Sequence, residues 1–166
     1  MNLPATVSPC AATASPRDFD FLFGRWDVAN ERLQRRLSRC TEWEHFSAQT
    51  ECRPLPGTLG NLETWTTDWR GGVRGIALRL FEPDVQQWSI RWASDRDGRL
   101  EPAVRGGFDG PVGVFLGPDS HEGQAVLARY RWTVHGTDRA TWDQAWSPDA
   151  GATWETNWIM HFSRRD

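Results

Sequence analysis

Lysine is absent from this chain: all nineteen basic residues are arginine. A Schiff-base lysine and a P-loop lysine are therefore excluded, and with them the chemistries that need either. A genome that favours Arg codons accounts for the bias, but Arg brings its own property, a planar fork suited to carboxylates and phosphates. Cysteine is scarce, with only Cys10, Cys40 and Cys52. If residues 41 to 52 form one extended strand, Cys40 and Cys52 lie roughly 40 Å apart at about 3.3 Å per residue. A disulfide needs Cα atoms within about 7 Å, so free thiols and a reducing, cytoplasmic setting are expected. No apolar run approaches the eighteen or so residues of a membrane span. The net charge of -3 weighs against nucleic acid as a partner, since such binders carry a basic excess.

The motifs of metal and nucleophilic chemistry are missing too. His45, His121, His135 and His161 are far apart and show neither HxH nor HExxH spacing, so no metal or other cofactor is expected. His161 is the best placed of the four for a proximal haem ligand. There is no G-x-S-x-G, and no cysteine has a local histidine partner. The first sixteen residues are small and polar, without the basic start and apolar stretch of a secretion signal. They read as a disordered N-terminal tail preceding one domain over residues 17–166.

What the chain does have is tryptophan, eleven in 166 residues, with fifteen Gly and ten Pro between short apolar runs. Many turns between short strands predict an all-β chain with low helix content. Hydrophobic content of 39% against 25% charged supports a packed globular domain. The densest stretch is Ala140 to Phe162. Trp142, Gln144 and Trp146 share one strand face by the period of two. Beyond a turn built from Ser147, Pro148, Asp149, Ala150 and Gly151, alternation puts Trp154, Thr156, Trp158, Met160 and Phe162 on one face and Glu155, Asn157, Ile159 and His161 on the other. Asp at the turn can bond its own backbone, and Gly can take positive φ.

Earlier in the chain, Asp18 to Phe23 concentrates three Phe and a Leu, and a short helix or turn plugging one end of a barrel is the reading. Strands are predicted from Trp26 to about Leu37, with a helix over Asn30 to Arg39 as the alternative, and over Thr41–Arg53, Asn61–Trp69, Gly75–Glu82 and Gln87–Ser94. Further strands are predicted near Val112–Leu116, over Ala125–His135, and in the final hairpin. Asp97-Gly98 is a hairpin signal. Eight to ten strands joined by tight turns must hide their edges, and a single antiparallel up-and-down barrel with a small cavity does so economically. A sandwich is the runner-up.

Gly24-Arg25-Trp26, just after the aromatic turn, resembles the Gly-x-Trp signature of lipocalins and the wider calycin barrels. More of the chain is similar to a bacterial family of uncharacterised lipocalin-like proteins. The matching pieces are Asp20 to Asp27; Arg53-Pro54-Leu55-Pro56-Gly57 with Asn61; Leu78-Arg79-Leu80; Trp88 to Trp92; and Trp142 to Ser147 running into Thr153 to Trp158. The resemblance implies a calycin-type barrel with a short N-terminal capping helix and implies little about activity. Secreted lipocalins carry disulfides, and this chain departs from them there. Ser147 to Trp154 also resembles the Asp-box turn of sialidase propellers, S-x-D-x-G-x-x-W, but occurs once in a chain too short for a six-bladed propeller.

A small barrel cannot carry eleven Trp on its outside without aggregating. Trp88, Trp92, Trp132, Trp142, Trp146 and Trp158 are therefore expected to wall a pocket for a flat or apolar ligand. Glu63, Arg79, Arg91, Arg131, Gln144, Glu155 and Asn157 are expected to supply its polar groups. Arg79 and Arg91, on adjacent predicted strands, could together receive a carboxylate, and Glu63 with Glu155 could do acid–base work if buried together. The first hypothesis is a binding protein for a small apolar or aromatic, or acidic, ligand. The second is an isomerase, cyclase or hydrolase acting in the same cavity through Glu155, Arg79 or Gln144. The third is a filled barrel that spends its aromatic surplus on a homodimer interface.

Overall fold

A computed structural model describes residues 14–166. Ten antiparallel strands close into one barrel: β1 (Gly24–Leu33), β2 (Trp43–Pro54), β3 (Gly60–Thr67), β4 (Val73–Glu82), β5 (Gln87–Ser94), β6 (Val104–Asp109), β7 (Val112–His121), β8 (Gln124–Val134), β9 (Arg139–Ser147) and β10 (Glu155–Arg164). Each strand pairs with its neighbours in sequence, and β1 also pairs with β10, Trp26 facing Arg164 and Arg32 facing Trp158. No strand edge is left along the wall, which is what the meander of short strands required. No helix among the described residues is long and apolar enough to cross a membrane. Of the loose tail expected over residues 1–16, residues 1–13 and Cys10 with them lie outside the described residues. Ala14 is buried, and the Ser15 carbonyl accepts the Trp88 indole N–H at 3.0 Å.

Alternation decides which residues face in. Trp26, Val28 and Asn30 of β1 are buried between exposed Arg25, Asp27 and Ala29. Ala48, Thr50 and Cys52 of β2, Asn61, Glu63 and Trp65 of β3, and Ala77, Arg79 and Phe81 of β4 continue that inner wall. In β4 the strongly apolar set, Ile76, Leu78 and Leu80, takes the outer face, and the inside receives the arginine. Cys40 and Cys52 are both free.

Four sequence expectations need correction. The capping helix is a single 3-10 turn, Asp20–Leu22, too short to be a helix because Phe19, Phe21 and Leu22 turn inward at once. Phe19 meets Trp88, Phe108, Phe115 and Trp132 at ring-centroid separations of 5.0 to 6.1 Å. Strand β1 stops at Leu33, short of Leu37, and neither a strand nor a helix continues. Residues 34–38 bend across the barrel end, with Leu37 and Arg39 at positive φ. Asp97-Gly98 lies within a longer β5–β6 connection rather than a two-residue hairpin. Finally β6, which carries Gly106 and Gly107, is a strand absent from those expected over residues 95–111.

The plugged end is tied down by hydrogen bonds as well as rings. The Trp26 indole donates to the Leu22 carbonyl at 2.8 Å. Arg164, stacked 4.1 Å over the Trp26 ring, donates to the Phe21 and Phe23 carbonyls at 2.7 and 2.8 Å. At the opposite end, the β9–β10 turn works as its residue types predict. The Asp149 carboxylate accepts from Ser147 Oγ at 2.7 Å, the Thr153 amide at 2.8 Å and Thr153 Oγ1 at 2.5 Å. Those donors, the Thr153 hydroxyl foremost, hold its carboxyl down at about 2.

The glycines of β6 are fixed by close strand approach. A Cβ on Gly106 would lie 1.9 Å from the Val114 carbonyl oxygen, whereas one on Gly107 would meet only the Ala14 side chain and Cα, at 3.1 and 3.9 Å. Gly106→Ala should cost about 2 kcal/mol or more through forced separation of β6 and β7, and Gly107→Ala well under half of that. Urea denaturation of the two variants measures the difference.

Candidate functional site

Ten strands enclose a wider interior than eight, in which side chains alone fill the space or leave room for one small ligand. The plug occupies one end. Above it lies a cavity of about 320 Å³, open at the other end and lined from β1, β3, β4, β5 and β7 to β10.

The deepest layer is polar. Arg79 is buried and ion-paired through Nη2 to Glu63 Oε2, while its Nη1 donates to Asn61 Oδ1 at 3.0 Å. The Cys52 thiol lies 3.4 Å from the same Asn61 oxygen. Burial, ahead of the nearby charges, pushes that thiol up to about 12, so it is inert as a nucleophile. The guanidinium sits 5.1 Å over Phe19 and 5.5 Å over Trp132. This pair persists because its register is unambiguous: Leu62 faces Leu78 and Glu63 faces Ala77, which places Arg79 on the inner face beside Glu63.

The middle layer is a belt of rings. Trp65 contacts Trp92 at 5.9 Å and Trp158 at 6.2 Å. Trp158 contacts Trp142 at 6.0 Å, and Trp142 contacts Tyr130 at 5.0 Å, all in edge-on arrangements. Such geometry suits the ring quadrupoles. Gln144 joins the belt and donates from Nε2 to Asn157 Oδ1 at 2.8 Å.

The rim is charged. Arg32 lies 5.2 Å over the Trp158 ring and 3.6 Å from Glu44, and Arg36 lies 4.2 Å over Trp146. Burial, ahead of repulsion from Arg36 and Arg70, brings Arg32 down to about 10. Asp119, His121 and Glu101 complete the mouth. Glu101 is itself exposed at the mouth, yet desolvation by the atoms crowding its carboxyl, reinforced by Asp119 and Asp97 and opposed by Arg36, pushes it up to about 7. Burial likewise raises the Tyr130 phenol far above its ordinary value, keeping its hydroxyl protonated.

Of the residues expected at the site, Glu63, Arg79, Trp92, Trp132, Trp142, Gln144, Trp146 and Trp158 do line this cavity. Five others do not. Trp88 points inward but is packed into the plug against Phe19 and Phe81. Arg91 faces outward, because it pairs across from Leu78 and not from Arg79, and donates to the Glu101 carbonyl at 3.3 Å. The joint Arg79–Arg91 carboxylate site is therefore excluded. Arg131 also faces outward and holds Asp143 at 2.7 Å. Asn157 is an extra residue: the β9–β10 register slips between Thr156 and Trp158, so Asn157 is a β-bulge that is wholly buried beside Gln144. The same bulge moves Glu155 to the inner side, opposite Trp146, where its carboxylate accepts the Leu37 amide at 2.8 Å and pins the rim bend. With Glu63 held by Arg79 and Glu155 by Leu37, the proposed acid–base pair does not form. His161 is half-exposed on the outer wall, 2.8 Å from Glu31, which removes it as a haem ligand. Among the described residues no three His, Cys, Asp or Glu side chains converge as a metal site.

Sequence reasoning missed Arg32, Arg36, Trp65, Glu101, Asp119 and Tyr130. Arg32 and Arg36 set their guanidinium groups over indole faces as cation–π partners, a placement that no local sequence pattern marks. Compared with protein-family models and with curated proteins, the chain matches none.

Two measurements follow. Breaking a buried ion pair leaves one charge uncompensated. Glu63→Gln and Arg79→Met should each cost about 3 kcal/mol, and the double variant Glu63→Leu with Arg79→Met much less than their sum, as read by a double-mutant cycle in urea. Glu101 binds its proton more tightly folded than unfolded, so its contribution to stability is complete below its ordinary value of 4.5 and lost as pH rises through about 7. Stability of the wild type relative to Glu101→Gln should fall across that window and be flat above it.

Proposed function

We propose that this protein is a small-molecule binding protein that holds one apolar or aromatic ligand, neutral or acidic, in the barrel cavity. The observation that carries this reading is the half-filled interior: a plug of rings at one end and, above it, about 320 Å³ walled by Trp65, Trp92, Trp142 and Trp158. That volume is at the lower bound of sites that take small organic molecules. Sandwiching between ring faces would supply affinity, and the polar atoms below would orient the guest. The closed ten-stranded wall and the pieces of sequence that resemble bacterial lipocalin-like proteins favour membership of that family. Free Cys40 and Cys52 favour a cytoplasmic setting.

Binding is preferred to catalysis because the groups an enzyme would use are already engaged. Arg79 bonds Glu63 and Asn61, Gln144 bonds Asn157, and Glu155 bonds the Leu37 amide. A homodimer built on surplus aromatics has less support, since the large rings face inward.

Native mass spectrometry of the protein purified from its own host is the test. A retained small molecule, released by Trp92→Ala or Trp142→Ala variants that still fold, supports the reading and reports the subunit count at once. An empty monomer that also leaves its tryptophan fluorescence unchanged by a panel of aromatic compounds ends it.

A further inference from the structure

Positive charge at the mouth outruns its partners. Three guanidinium groups gather on one indole: Arg32, Arg70 and Arg96 lie 5.0, 4.6 and 5.9 Å from the Trp69 ring centroid. That indole stands on the 3-10 turn Trp69–Gly71, which links β3 to β4. A fourth guanidinium, Arg36 on Trp146, joins no ion pair among the described residues. One carboxylate reaches into the group, and it is already shared. Glu44 Oε1 takes Arg70 at 2.9 Å and Arg32 at 3.6 Å, while Oε2 accepts the Trp69 indole N–H at 3.1 Å.

The acids of the mouth do not close this account. Glu101 and Asp119 come from the β5–β6 connection and β7, across the ring of strands from β1 and β2. Glu101 is exposed, so water or a proton relieves its charge. Arg32 has no such relief. Its side chain is 11% exposed, set against both the Trp69 and Trp158 rings, and a guanidinium keeps its proton at neutral pH. A desolvated cation beside like charges, with one divided partner, is stabilised by a further anion. Arg32 and Arg36 also line the cavity, so that anion is within reach as part of a guest.

We infer that the guest is an organic anion, a flat apolar body in the tryptophan belt with a carboxylate or sulfonate at its outer end, received by Arg32, Arg36 and Arg70. This rests on the binding role proposed above and names its ligand class. Guanidinium forks match the paired oxygens of such groups. Glu101 and Asp119, repelling the same group, fix which side of the mouth it takes.

Three probes of one shape separate the possibilities by isothermal titration calorimetry at about pH 7.5: 2-naphthylacetate, its neutral amide, and the cation 2-(2-naphthyl)ethylammonium. The acid should bind about tenfold tighter than the amide, and the amine weakest. Raising sodium chloride from about 0.02 to about 0.5 M should remove most of the acid's advantage. Arg36→Gln and Arg70→Gln should each cost the acid about five- to tenfold and the amide under about twofold. Glu44→Gln removes the competing carboxylate and keeps its shape, so it should tighten the acid about threefold. Equal binding of acid and amide overturns the anion site and leaves an apolar binding site in the belt. Tightest binding by the amine overturns it in favour of the acidic side of the mouth. An acid preference that neither arginine variant reduces overturns the assignment to these residues. Binding of none of the three tells against the binding role itself, and this inference falls with it.

Discussion

Everything in this molecule depends on strand β1 being paired on both sides. Its ten residues run along β2 from Gly24–Cys52 to Leu33–Trp43, and seven of them also run along β10. That second ladder turns a meander with two exposed edges into a wall with none. Once the wall is closed, the period of two sorts every side chain into inside or outside, and the number of strands sets how much inside there is. Ten strands enclose more volume than the chain's own inward side chains use at both ends. The plug, the buried ion pair, the ring belt and the rim are how this sequence distributes that excess.

The interior is stratified because different residues meet different costs at different depths. At the plugged end the 3-10 turn supplies Phe19 and Leu22 where bare strands would leave a hole, and Arg164 satisfies the carbonyls that such a tight turn exposes. One layer up, Arg79 and Glu63 are tolerable only together. Such pairs are weak contributors to stability but fix which strands lie side by side. At the mouth, where solvent returns, Arg32 and Arg36 rest on indole faces, Arg32 with Glu44 beside it.

Much of this was legible in the residues. The alternation of Trp88, Ile90 and Trp92 located β5 to the residue, and Ser147 to Gly151 marked the last turn with its chemistry. Arg79 and Arg91 looked equivalent from the sequence, each an arginine amid apolar neighbours. Only the β4–β5 register separates them, and register is a property of the pair of strands. Asn157 shows the same limit in sharper form. A single unpaired residue reverses the facing of what lies on one side of it, and nothing in Glu-Thr-Asn-Trp announces where the extra residue falls. β6 escaped notice because its two glycines serve close strand packing, a role that composition cannot distinguish from a turn. The rim was missed for a third reason: its residues come from β1, β7, β8 and two connections, and no local pattern ties them together.

Because rings and the Arg164 guanidinium seal one end, the barrel is a blind well and not a tunnel. Among the described residues the cavity opens past Arg36 on Trp146 and the bend that Glu155 holds by the Leu37 amide, so any guest would enter and leave there. A guest of the kind proposed would then keep one end toward solvent for as long as it is held.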